Sequence, residues 1–308
     1  FKISISNSHL IISYTNDKLQ IHVYNDNLDE LWKNELSSSY DVSQIKYIDN
    51  GIHGKGSIFI LTKDNLIQAP LLIRIDSNDS LINYSEIDLD GLYPKDIKIE
   101  STPKGSIVAG GFYSKSGSDG ADGFYLCEIG KNGEILKKHA YKIPQSIIKQ
   151  YTSNSTTEYA NAEPMILRNI IMHDNGNIDL IGEKYYKDAG ISSQGTYYTS
   201  YNYQDILMLS ISNEGEMKWM KKIPKDQFTI NPDKNGCGFH HIMGKRHHYI
   251  ILMDHESNLN LSENESPYRH LDSYGGILTT FKVNYDTGDW ERISILNSKK
   301  AKGVKLSQ

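Results

Sequence analysis

The side chains best equipped for chemistry are histidines crowded late in the chain: His240, His241, His247, His248, His255 and His270. Zinc needs three or four donors converging on one point. Adjacent residues of a strand face opposite sides of a sheet, so neither His-His pair forms one ligand face. Both pairs fall on one hairpin, and an exposed hairpin end with no metal is expected there. The second group is carboxylates: Asp41, Asp96 and Glu163, with Glu183 further out. Glycoside hydrolysis uses two such groups, one protonating the leaving oxygen and one acting as nucleophile or base. None of the four sits in a recognisable motif, and no catalytic residue is assigned.

The glycine-rich run from Ser114 to Gly123 lacks the GxxxxGK[ST] spacing that cradles phosphate, and no helical period follows it. It reads as a flexible loop, and its Asp119 and Asp122 alone do not define a calcium site. Two cysteines, Cys127 and Cys237, are too few for a disulfide framework or a complete metal site. Cys127 ends the apolar run Phe124-Tyr125-Leu126-Cys127 and is expected to be a buried free thiol. No cofactor is expected.

Tyrosine dominates the aromatic content, at 21 against Phe 7 and Trp 3. Tyr185 and Tyr186 leave one apolar run, Tyr197, Tyr198, Tyr201 and Tyr203 lead into the next, and Tyr268 and Tyr274 occupy a later segment. A rigid apolar ring with a polar tip suits recognition of protein or carbohydrate, and suits equally the packing of a long loop. Both readings stay open on sequence alone. A formal charge of −5 argues against nucleic acid as a partner, and the lysines around Trp219 read as a solvated face. No apolar stretch approaches the roughly 18 residues of a membrane-spanning helix. The chain opens at Phe1 within a strand-like alternation, without an initiating methionine, and is expected to be processed or truncated.

The elements that must position these groups are set by repetition. An apolar strand, a polar turn and a second strand recur at Ile21–Trp32, Ile73–Leu81, Leu126–Ile135, Leu209–Trp219 and Phe281–Trp290. Asn, Asp and Gly in the turns supply the positive φ of a tight hairpin. Before each copy lies another hairpin, ending in runs such as Ser57-Ile58-Phe59-Ile60-Leu61 and Asn177-Ile178-Asp179-Leu180-Ile181. Four-stranded modules in series with no helical period between them specify a β-propeller. Five blades are discernible in a single domain spanning 1–308, at about 1–36, 42–89, 95–143, 165–224 and 237–297, with a further strand expected at 303–306. The connections between second and third strands, and those between modules, are the long ones: 114–121, 144–164, 186–203, 224–236 and 255–274. A short helix is expected at Pro144–Tyr151.

The turn-plus-tryptophan element Glu214-Gly215-Glu216-Met217-Lys218-Trp219 resembles the repeat of quinoprotein-type (PQQ-like) propellers, although the usual Ala-x-Asp is absent. Gly110-Gly111-Phe112-Tyr113-Ser114, Gly182-Glu183-Lys184-Tyr185-Tyr186, and the run from Tyr203 through Trp219 to Gln227 resemble a group of secreted or envelope propellers of Gram-negative bacteria. That resemblance implies a cell-envelope or secreted location, and it brings no activity with it. The expected function is a non-enzymatic binding or scaffold propeller with a protein partner in an envelope assembly, carbohydrate being a further possible ligand. Tyr197, Tyr198, Tyr201, Tyr268, Arg269 and His270 are its expected binding residues, from loops 186–203 and 255–274 standing side by side. The alternative is a five-bladed carbohydrate-active enzyme with acidic residues at a central mouth.

Overall fold

Runs such as Ser57–Leu61 carry apolar side chains at successive positions, so a strand built from them must bury both of its faces. The computed structural model shows how. It describes the chain outside residues 1, 6–7, 16–17, 26, 38–39, 53–54, 65–69, 77–81, 103–105, 118–119, 152–163, 231–235, 263–264, 272–275 and 298–308. Among the described residues the fold is all-β and of the propeller class, with five sheets in chain order, each built on four antiparallel strands and one of them carrying a short fifth strand in parallel at its edge. Sheet 1 comprises β1 (Lys2–Ile5), β2 (Ser8–Thr15), β3 (Lys18–Asn25) and β4 (Glu30–Ser37); sheet 2 comprises β5 (Tyr40–Ile52), β6 (Lys55–Asp64), β7 (Pro70–Asp76) and β8 (Ile82–Glu86). Sheet 3 holds β9 (Tyr93–Ser101), β10 (Ile107–Ser114), β11 (Gly123–Ile129) and β12 (Ile135–Lys142). Sheet 4 holds β13 (Met165–Met172), β14 (Ile178–Ile191), β15 (Tyr197–Ile211) and β16 (Met217–Thr229). Sheet 5 holds β17 (His240–Met243), β18 (His247–Asp254), β20 (Ile277–Asn284) and β21 (Trp290–Asn297), while the two-residue β19 (His270–Leu271) joins the edge of sheet 4. One helical turn, α1 (Gln145–Ile148), stands where a short helix was expected.

The chain divides into two compact units, residues 1–117 with 125–140, and residues 118–124 with 141–308. In the first unit, β6 displays the period of two directly. Ile58 and Ile60 join Leu19, Ile21, Val23, Ile73 and Ile75 in one core. Phe59 and Leu61, pointing the other way, join Leu72, Ile99, Ile107 and Tyr125 in another. Cys127 is buried in that second cluster as a free thiol, and burial pushes its pKa up to about 12. In the second unit, Ile181, Ile206 and Met208 of sheet 4 share a core with Ile250, Leu252 and Phe281 of sheet 5. Each such side chain contributes about 1.5–3 kcal/mol when removed from water.

Several of the hairpin turns share one geometry. In the hairpin β15–β16, Ser212 N–H donates to Glu216 O at 2.8 Å and Gly215 N–H donates to Ser212 O at 2.9 Å. The same pair of bonds closes β11–β12 through Gly130, Gly133 and Glu134, and β13–β14 through His173, Gly176 and Asn177. Gly215 sits at φ 88°, a left-handed conformation that a Cβ disfavours, which is why this turn position is glycine in all three. The tryptophan that follows the turn in sheet 4, Trp219, donates from Nε1 to Tyr285 O, in the β20–β21 turn of sheet 5, at 3.0 Å.

Candidate functional site

Sheet 4 departs from its neighbours because its strands are long, with 14, 15 and 13 residues in β14, β15 and β16. Pro224 lies inside β16, has no N–H to give, and so demands an irregularity in the ladder. The pairing shifts at Leu167/Asn169, Glu183/Tyr185 and Gln204/Ile206: Arg168 is an extra residue in β13, Gln204 and Asp205 of β15 stand against Lys184 alone, and Pro224 and Lys225 of β16 stand against Asp205 alone. These bulges lie at one level across the sheet, since Leu167 faces Gly182, Glu183 faces Ile206, and Ile206 faces Ile223. Bulges re-aim side chains and bend strands. Here they collect charge.

Glu183 is the centre of that collection. Its side chain is 0% exposed, with Oε1 2.7 Å from the equally buried Lys225 Nζ. Its Oε2 accepts from Arg168 Nε at 2.7 Å and also from Arg168 Nη2. Lys225 Nζ donates further to Gln227 Oε1 at 3.1 Å, and that oxygen also accepts from Gly238 N–H at 2.7 Å. Gln227 Nε2 in turn donates to Met253 O at 2.7 Å, so the network reaches sheet 5. Burial lowers the Lys225 pKa, opposed by the attraction of Glu183. Below it, Lys222 Nζ stands 2.9 Å from Asp205 Oδ2 and donates to Gln150 O at 2.8 Å. Burial raises the Asp205 pKa against the pull of Lys222. A cavity of about 490 Å³ adjoins the network, lined by Arg168, Asn169, Tyr203, Cys237, Phe239 and His240 among others.

Beyond the bulges the three strands run on as a projecting extension. The segment 186–203, expected as a loop, is a hairpin in which Tyr185 pairs with Tyr203 and Ile191 with Tyr197, closed by a turn at Ser192–Thr196. The run Tyr197-Tyr198-Thr199-Ser200-Tyr201-Asn202-Tyr203 favours this outcome because aromatic and β-branched side chains pack well on a pleated surface. On the other side, Tyr201 pairs with Thr229, and Gln227–Phe228 pair in parallel with His270–Leu271. The segments carrying the expected binding residues therefore belong to one sheet, with the end of β16 between them.

The structure places those residues unequally. Tyr197 is 79% exposed and Tyr268 58%. Tyr198 is less free, since its ring lies over the bare Cα of Gly190. Tyr201 is half-buried under Lys187 Nζ, 5.4 Å from the ring centroid. Arg269 lies over Phe228 and donates from Nε to Asp226 Oδ2 at 3.0 Å. His270 is a correction: it is 5% exposed, because β19 pairs against β16 and its ring packs beside Gly276. Tyr268 is held by its backbone, N–H donating to Asn258 Oδ1 at 2.7 Å, and its ring stacks on His255 at 5.5 Å. Ile191, Ile230 and Leu271 stand exposed on the same extension.

The histidines need a second correction. His240 is exposed as expected, whereas His248 is fully buried. It is in phase with Ile250 and Leu252 on β18, so the period of two turns it inward. His248 Nε2 lies 2.8 Å from Asp179 Oδ2, His173 Nε2 approaches the same oxygen, and His241 Nε2 is 2.9 Å from His248 Nδ1. Burial raises the Asp179 pKa, but hydrogen bonds from His173, His248 and Ser210 outweigh it and bring it to about 2. Burial, with the neighbouring His248, lowers the His241 pKa to about 4. The sequence signal for Asp179 is its place inside the apolar strand Ile178-Asp179-Leu180-Ile181.

Of the four carboxylates considered for glycoside hydrolysis, Glu183 has both oxygens engaged by Lys225 and Arg168. Asp96 is half-buried in β9 opposite Phe112. Glu163, the side chain of Asp41, Asp119, Tyr274 and the strand expected at 303–306 lie outside what is described.

No family model matches the chain, and no curated protein matches it. Solved structures similar to it include a protein of unknown function from Bacteroides caccae, at 10% identity and TM-score 0.32, covering 94% of each chain. Another is a putative exo-beta-1,3-galactanase from Bifidobacterium bifidum s17, at 10% identity and TM-score 0.37, covering 95% of this chain and 85% of that one. A third is an alpha-L-arabinofuranosidase from Lactobacillus brevis, at 12% identity and TM-score 0.35, covering 94% and 90%. Values this low assign the chain no activity and no ligand.

Proposed function

We propose that the chain is a non-enzymatic binding or scaffold protein that engages a protein partner through the projecting extension of sheet 4. One observation carries the reading. Ile191, Tyr197, Tyr198, Ile230, Tyr268 and Leu271 all stand exposed on that extension, on strands fixed by a buried ion network at their base. Clustered exposed apolar side chains mark interaction surfaces, and tyrosine with a neighbouring arginine is the composition of interface anchors. Presentation on paired strands keeps the ordering cost of binding low.

A cell-envelope location is part of the proposal and rests on the sequence resemblance. The test is affinity capture from envelope extract, followed by hydrogen exchange on the reconstituted complex. The proposal expects protection at 188–202, 228–230 and 268–271. Protection confined to other sheets would overturn it.

A further inference from the structure

The cluster around Asp179 lies away from the extension, and the recognition reading does not use it. We propose that His173, Asp179 and His248 form a binding site for a divalent transition metal ion, zinc foremost. Their donor atoms lie within 4.8 Å of one another, and both imidazole Nε2 atoms converge on a single carboxylate oxygen. Zinc–nitrogen and zinc–oxygen bonds of about 2.0–2.2 Å place tetrahedral donors about 3.3 Å apart. His248 Nε2 and Asp179 Oδ2, at 2.8 Å, need move apart by only about half an ångström to meet that spacing. Two imidazoles and one carboxylate suit zinc and its neighbours, whereas calcium takes six to eight oxygens.

The supporting groups are those a metal site requires. His173 and Asp179 flank the tight turn between β13 and β14, whose two backbone hydrogen bonds fix their separation. His241 Nε2, 2.9 Å from His248 Nδ1, can take that ring's Nδ1 proton in a hydrogen bond and leave the Nε2 lone pair for the ion. Tyr285 packs edge-on against both liganding rings, at 4.8 and 4.4 Å, while its hydroxyl donates to Gly244 O at 2.8 Å. His248 and Asp179 are buried, and His173, 12% exposed, is the member of the three nearest solvent. An ion held there would tie the β13–β14 turn to β18, that is, sheet 4 to sheet 5.

A carboxylate oxygen between two imidazoles also describes a metal-free hydrogen-bonded chain, and titration separates the two. Chelator-treated protein should bind one equivalent of Co²⁺ with the visible bands of a four- or five-coordinate ion, displaced by Zn²⁺. A hundredfold excess of zinc over its Kd should raise Tm by about 5–10 °C, reversed by EDTA. His173→Gln, at the exposed rim, should weaken binding about a hundredfold or more, and His241→Ala about 10–100-fold. His240→Ala, one residue away on the opposite face, should leave binding unchanged. No cobalt spectrum and no zinc-dependent Tm in the wild type would overturn the proposal, as would equal affinity of His173→Gln and wild type. Should His248→Ala fail to fold, these wild-type and rim-variant results still decide it.

Discussion

Replacing Glu183 with Gln tests whether the buried network holds the extension in place. The substitution keeps the shape and removes the charge, leaving Lys225, itself 0% exposed, with Gln227 Oε1 and an amide carbonyl as acceptors. Orphaning one partner of a buried pair costs about 3–5 kcal/mol, and this variant belongs near the upper end. Lys225→Met is milder, about 2–3 kcal/mol, because Glu183 keeps its bonds from Arg168, which is itself one-third exposed. The double variant should lose about 2 kcal/mol less than the two single losses combined, since it removes the charge that each single variant strands. Urea unfolding followed by tryptophan fluorescence reads all three, with Trp219 reporting from the same sheet. The single variants should also speed amide exchange at 185–191 and 197–203 before global unfolding, as the strands beyond the bulges come loose. Additive losses below about 1 kcal/mol each, with unchanged exchange, would refute the reasoning.

Thiol labelling of the native protein at pH 8 should modify Cys237 and spare Cys127, whose raised pKa of about 12 keeps it a neutral, enclosed thiol at that pH. Labelling of both at equal rates would contradict the packing of sheet 3. Gly111→Ala should cost about 3 kcal/mol or more by equilibrium unfolding, because a Cβ there would run into the backbone carbonyl of Asp96 and the Tyr125 ring. Breaking the partly exposed Arg269–Asp226 bridge with Arg269→Ala should change stability by about 1 kcal/mol or less, so any larger loss of partner binding reports on the surface itself.

The sheets were legible because each strand announces itself twice, by its apolar period and by the turn that closes it. Gly215 and its counterparts mark the turns, and Ile58 to Leu61 mark a strand buried on both faces. The extension of sheet 4 is harder to read, because its tyrosines suit an exposed recognition loop and a strand equally. Pro224 should have signalled a bulge within a continuing strand, not its end. The charge network was invisible for a different reason. Glu183, Lys225 and Arg168 are distant in sequence and meet only because three register shifts fall at one level. Asp179 and His248 likewise come from different sheets. The phase of His248 with Ile250 and Leu252 was readable, but the identity of its partner was not.

Recognition through the extension is tested most directly by removing its exposed tyrosines. Tyr197 and Tyr268 are the most exposed of its tyrosines, so Tyr197→Ala/Tyr268→Ala removes contact area without opening a core. Titrated against the captured partner by calorimetry, this variant should bind at least about tenfold more weakly than wild type, with Tm within about 2 °C. Undiminished affinity at unchanged Tm would place the interface elsewhere, and a collapse in Tm would show that these rings hold the fold together.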